Sequence, residues 1–237
     1  MTLPKSPKGT HRSITETERK AILEVADYHY AGLYVLLILY CGIRPGEAIA
    51  LQWKDINLEK RLIHVRKAIE SGTTGEIKTP KSEAGNRDIP IPDALWHKLK
   101  EVRQGPFQPV LLQPQGRKVH SHSSIGDAWN NFKRELDIHM GAEVYRNQII
   151  RSVVASDLVP YCLRHTYCTD LQRAGVPLNI AKYLMGHSDV SVTGNIYTDT
   201  TPDVIDFAAA QMNRFYRGDK ANLEPPAEID LIADELL

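Results

Sequence analysis

Five side chains suited to chemistry stand in short motifs spread along the chain. Arg44 lies in Gly42-Ile43-Arg44-Pro45-Gly46-Glu47-Ala48, ahead of Leu51, Trp53 and Asp55. Lys78 lies in Ile77-Lys78-Thr79, ahead of Ser82, Arg87 and Ile89-Pro90. Arg164 lies in Leu163-Arg164-His165-Thr166. His187 follows in Leu184-Met185-Gly186-His187-Ser188, with Tyr197 ten residues later. Arginine is always charged and presents a planar fork of donors that matches phosphate or carboxylate oxygens. A tyrosine oxygen can store a phosphate as an ester. Taken singly, each residue has an ordinary explanation. Arg44 is a surface cation at a helix junction, Lys78 a solvated hairpin charge, His187 a cap on a helix C-terminus and Tyr197 a half-buried aromatic. The sequence carries no Gly-x4-Gly-Lys-Ser/Thr loop, the usual cradle for ATP phosphates.

Together, and in this order, the motifs resemble the catalytic boxes of the tyrosine recombinase family, which includes phage and transposon integrases. The similarity covers roughly Ile14 to Thr200. The resemblance implies Arg44 and Arg164 as the two catalytic arginines, Glu47 as the structural companion of Arg44, Lys78 as the lysine of the sheet, His187 as the late histidine and Tyr197 as the nucleophile. It implies a reaction in which a DNA phosphodiester is opened through a 3′-phosphotyrosyl intermediate and closed again by a DNA hydroxyl. The transition state spreads negative charge over the non-bridging oxygens, which the arginines would meet. Lys78 would protonate the departing 5′ oxygen, and His187 would bond the phosphate or orient Tyr197. No metal and no other cofactor is expected.

One position departs from the family. A histidine usually stands three residues before the second arginine; here it is Tyr161, in Pro160-Tyr161-Cys162-Leu163-Arg164. A phenol is a poor general base near neutral pH, so Tyr161 is expected to contact phosphate or to pack. His165 is expected to brace the site. His120-Ser121-His122 has no nearby third ligand and reads as a loop before a helix rather than a metal site.

These side chains need a scaffold, and the patterning implies a mainly α fold with a small three-stranded antiparallel sheet. Thr15-Glu16-Thr17-Glu18 has capping-box spacing, so a helix starts there. An apolar helix follows over roughly Tyr30 to Tyr40, stopped by Gly42. Arg44-Pro45 opens a third, with proline near the first helical position. Strands are expected over Arg61 to Ile69, Glu76 to Thr79 and Arg87 to Ile91, with a turn at Ser71 to Gly75. Helices are expected near Asp93 to Val102 and Ser124 to Leu136, then over Leu163 to Arg173, Pro177 to Met185 and Pro202 to Tyr216, with Gly175 and Gly186 as stops.

The 237 residues suffice for one sizeable core. The chain divides into a linker remnant over 1–13, a catalytic domain over 14–217 and an acidic tail over 218–237. It begins inside what looks like the linker to a core-binding domain, as a truncated chain or a remnant gene would. Formal net charge is zero, yet Glu224 to Leu237 holds five acids and no Lys or Arg, leaving 29 basic against 24 acidic residues elsewhere. The tail ends with apolar Ile229, Leu231, Ile232, Leu236 and Leu237. Cys41, Cys162 and Cys168 read as small buried hydrophobes in a reducing compartment. Nothing resembles a secretory signal, and the longest apolar stretch, Ala31 to Ile43, is too short to span a bilayer.

Bacterial or phage-encoded, cytoplasmic action on double-stranded DNA follows from the resemblance. So does a tetrameric synapse whose subunits exchange C-terminal segments, with an excision factor or a host DNA-bending protein as further partners. The alternatives are a type IB topoisomerase or telomere resolvase, and a catalytically decayed integrase acting only as a DNA-binding protein. The Gly-His-Ser box and the length favour an integrase. Intact Arg44, Lys78, Arg164, His187 and Tyr197 weigh against decay, while Tyr161 and the expected lack of a core-binding domain leave room for it.

Overall fold

Thr15 begins the first helix as its sequence requires. In a computed structural model describing residues 11–69, 77–78, 86–114, 120–186 and 202–219, α1 runs over Glu16–Tyr28. The Thr15 hydroxyl accepts from the Glu18 N–H, and the Glu18 carboxylate accepts from the Thr15 N–H. Helix α2, Gly32–Cys41, is apolar on every side and almost wholly buried, as a helix at the centre of a core must be. It ends where Gly42 turns left-handed at φ 57°, a conformation that glycine adopts without steric cost. A Cβ there would also come within 2.2 Å of the Tyr167 ring. Helix α3, Pro45–Ala50, follows directly.

The sheet region differs in detail from expectation. Arg61 to Ile69 forms two strands, β2 (Leu62–Val65) and β3 (Ala68–Ile69), broken at Arg66-Lys67. The break has a cause. The Arg66 guanidinium turns back to donate to the Val65 and Arg87 carbonyls and to Asp88. The three-stranded antiparallel sheet therefore has the order β1-β2-β5, with β1 at Ile56–Asn57 and β5 at Arg87–Pro90. Lys78 lies in β4 (Ile77–Lys78), which pairs with β3 in a separate ladder, Lys78 opposite Ala68. The expected turn at Ser71 to Gly75 lies outside the described residues.

Helices α4 (Asp93–Glu101) and α5 (His122–His139) come next. Then comes a hairpin absent from the sequence reading: β6 (Glu143–Tyr145) and β7 (Gln148–Arg151). Its turn places Arg146 and Asn147 at φ 47° and 64°, the left-handed pair of a tight hairpin. Arg-Asn is not the usual Asn-Gly signature, so the turn was not legible. Helix α6, Pro160–Arg173, is buried from Cys162 to Gln172 and packs along α2. Helix α7, Leu178–Met185, ends at Gly186 with φ 68°. Helix α8, Pro202–Arg217, returns over β5, α6 and α7. Its Tyr216 ring meets Tyr40 edge-on at 4.9 Å, and its hydroxyl approaches Asp170 at 3.4 Å. The three cysteines are buried among apolar neighbours. Among the described residues no helix is long and apolar enough to cross a membrane.

Candidate active site

Gly42 and Gly186 end two helices side by side, and the arginines gather between them. Arg44 immediately precedes α3, where Pro45 supplies the first helical residue without needing a hydrogen bond. Glu47, one turn on, reaches back to accept from the Arg44 N–H at 2.9 Å and from its Nη1 at 3.0 Å. Arg87 on β5 closes the other side, donating Nη1 and Nη2 to the same carboxylate at 3.0 and 2.7 Å. Two oxygens thus accept four hydrogen bonds, near the limit of a carboxylate.

The second anchor is the end of α7, whose last carbonyls have no partner within the helix. The Leu184 carbonyl accepts from Arg87 Nε at 2.8 Å. The Met185 carbonyl accepts from Arg164 Nη2 at 2.5 Å. The Gly186 carbonyl accepts from Arg44 Nη2 at 3.0 Å. Arg164 Nη1 also donates to the Gly42 carbonyl, so one guanidinium spans the two glycine-ended helices. Three cations therefore sit on three successive carbonyls, where the negative end of the helix favours positive charge.

The electrostatics are lopsided. Among the described residues three guanidiniums surround a single carboxylate, an excess of positive charge. Burial by itself would raise the Glu47 carboxyl, but the hydrogen bonds and charge of Arg87, helped by Arg44 and Arg164, hold it down at about 2. Arg164 is wholly enclosed. Burial, then repulsion from Arg44 and Arg87, pushes it down to about 9, which leaves it charged at neutral pH. A cation so placed gains from an arriving anion. Arg44, whose side chain is 34% exposed, is the guanidinium that solvent can reach.

The other candidates are placed unevenly. Tyr161 stands in the first turn of α6, one turn before Arg164, 40% exposed. Its ring stacks on His11 with centroids 5.4 Å apart. His165, next to Arg164, is buried within the fold. The strand of Lys78 is placed but its side chain is not described, and His187 and Tyr197 lie outside the described residues. The structure thus brings together Arg44, Glu47 and Arg164, with Tyr161 at their margin. It adds Arg87, which the sequence analysis names within the Lys78 motif but gives no role. The signal that could have found it is an arginine inside a strand whose alternate positions are apolar. His122 is structural: Nε2 bonds the Ile69 carbonyl at 2.5 Å, tying α5 to β3.

Known proteins resemble this chain in sequence and in fold. Residues 12–203 match the phage integrase family. The XerC-like tyrosine recombinase of Caldanaerobacter subterraneus subsp. tengcongensis is 30% identical over 216 residues, covering 80% of this chain and 51% of that protein. The tyrosine recombinase XerA of Pyrococcus furiosus is 30% identical over 214 residues, covering 89% and 65%. The chain thus spans about half to two thirds of the length of these relatives. The structure of the Tn1549 transposon integrase in complex with transposon right end DNA superposes with a TM-score of 0.62 at 21% identity, over 90% of this chain and 68% of that one. At that identity the likeness concerns the fold, a mainly helical body with small antiparallel sheets. The match over most of the chain, in which Arg44 and Arg164 meet around Glu47, makes this chain a member of the phage integrase family of tyrosine recombinases.

Proposed function

We propose that this chain is the catalytic part of a site-specific DNA recombinase, an integrase of a phage or conjugative transposon. The observation that carries the reading is the cluster of Arg44 and Arg164 on the adjacent Gly186 and Met185 carbonyls, with more cationic than anionic charge around it among the described residues. A phosphodiester is the anion that this arrangement suits. Its non-bridging oxygens can meet the exposed Arg44 guanidinium, with the enclosed Arg164 charge behind it, and they gain charge as the tyrosine oxygen approaches phosphorus.

In this reading Tyr197 attacks the phosphorus, the bond to the 5′ oxygen breaks, and Lys78 gives that oxygen a proton. The phosphate stays esterified to Tyr197 at the 3′ end until a DNA 5′ hydroxyl displaces the phenol. His187 bonds the phosphate or orients Tyr197, and Tyr161, a turn before Arg164, contacts phosphate from the solvent side. DNA is the partner of the Tn1549 integrase in its solved complex, which supports DNA as the substrate here. Assembly into a tetramer, exchange of the acidic tail, and help from an excision factor or bending protein belong to the same proposal.

The test is covalent trapping. The protein is incubated with nicked suicide duplexes and compared on denaturing gels with Tyr197→Phe. A DNA adduct that only the phenylalanine variant lacks is the expected result. No adduct, even with a core-binding domain supplied and a broad pool of duplexes, would leave the second reading, a DNA-binding protein that has lost cleavage. The exposed Tyr161 at the usual histidine position favours that reading. Adduct formation restored by Tyr161→His would identify the cause.

A further inference from the structure

Arg87 is fully buried, with no side-chain exposure. Enclosing a guanidinium this way is costly unless its donors are met and its charge is paired. Three of its donor nitrogens serve two separate parts of the site. Nη1 and Nη2 grip both oxygens of Glu47 on α3, and Nε grips the Leu184 carbonyl at the end of α7. Those are the two structures on which Arg44 and Arg164 rest. Arg44 leans on Glu47 and on the Gly186 carbonyl, and Arg164 leans on the Met185 carbonyl. Gly186 is shaped to this contact, since a Cβ there would lie 2.7 Å from Arg87 Nη1.

We propose that Arg87 is a positioning residue of the site: it locks α3 to the end of α7 and so fixes the spacing of the Arg44 and Arg164 guanidiniums. The inference rests on the recombinase reading for its consequence in catalysis, and on geometry alone for its consequence in the free protein. Arg87 meets Arg44 on the shared Glu47 carboxylate, and its Leu184 anchor adjoins the Met185 anchor of Arg164. Its planar fork is what the position uses. A lysine keeps the charge but offers one nitrogen, which cannot hold two carboxylate oxygens and a carbonyl on opposite sides at once. Misplacing Arg44 and Arg164 by an ångström would slow a step that depends on their alignment while leaving most of the DNA contacts in place.

The test compares the protein with Arg87→Lys in three measurements. Thermal melting reports folding. Adduct formation on suicide duplexes at saturating DNA, beside a separate affinity measurement, divides rate from binding. The guanidinium N–H signals of Arg44 and Arg164 in nuclear magnetic resonance spectra, taken without DNA, report their anchoring. A folded Arg87→Lys variant that forms adduct about a hundredfold more slowly, at unchanged DNA affinity and with the Arg44 and Arg164 signals shifted or averaged, is the expected result. A native rate overturns the proposal, as does a loss of rate that only tracks the loss of folded protein while those signals stay put. If the unaltered protein itself forms no adduct, the recombinase reading fails, and the spectra still decide whether Arg87 positions the two arginines. If Arg87→Lys does not fold, Glu47→Gln/Arg87→Gln is compared with Glu47→Gln alone: a further loss of rate and a further shift of the Arg44 and Arg164 signals in the double variant is the expected result, and no further change in either overturns the proposal.

Discussion

At Glu47, burial and charge pull in opposite directions, and charge wins. Its carboxyl sits at about 2 against an ordinary 4.5, so the folded state holds the anion more tightly than the unfolded chain does. A carboxylate with a depressed value contributes stability that is complete above its ordinary value and disappears as the pH falls through its folded one. The contribution of Glu47 is therefore whole at neutral pH and drains away between pH 4.5 and about 2. Replacing it with glutamine should act like permanent acidification. Arg87 would remain buried without its counter-charge, a situation that costs about 3–5 kcal/mol. Urea melts of Glu47→Gln at neutral pH should show that loss, and the acid side of its stability profile should be flatter than the native one. A variant with native stability would mean that the Arg87 charge is met elsewhere.

Among the elements, the C-terminus of α7 governs the site. Gly186 holds φ 68° and faces the Arg87 guanidinium, so Gly186→Ala meets two obstacles. The left-handed backbone costs a residue with a Cβ roughly 1–2 kcal/mol, and the new methyl displaces Arg87. The variant should lose stability in denaturant melts and also form adduct more slowly than its folded fraction explains. A loss of stability alone would reduce Gly186 to a helix stop. That stop was legible in the sequence, as were Gly42, the Thr15 capping box and the Pro45 helix start, because each is set by neighbours in the chain. Arg44, Glu47 and Arg164 were legible only through their resemblance to known motifs. The anchoring of Arg44 on Gly186 and of Arg87 on Leu184 joins residues about a hundred positions or more apart, and local patterning contains no trace of such contacts. The splitting of Arg61 to Ile69 into β2 and β3 was hidden for the same reason. The residue responsible, Arg66, acts on partners in β5.

For the whole molecule, charge is zero only as a sum. Five acids and no basic residues lie between Glu224 and Leu237, leaving an excess of five positive charges on the rest. In the proposed function DNA would meet that excess through phosphate contacts, which release counterions and make affinity fall with salt. The acidic segment opposes it. In the proposed function the charge of the tail would repel phosphate over roughly a Debye length, about 10 Å at 0.1 M salt. Removing residues after Leu223 should therefore tighten binding to nonspecific duplex by roughly tenfold at low salt, and the gain should fade as salt rises. Electrophoretic or anisotropy titrations across a salt series would measure it. The apolar residues of the same segment give the experiment a second axis. If Ile229, Leu231, Ile232, Leu236 and Leu237 dock on a neighbour in the synapse, truncation should weaken assembly on DNA even where it tightens simple binding. Reversing only the acids to their amides should tighten binding and leave assembly intact. Equal effects of the two changes on both readouts would show that the tail acts through charge alone.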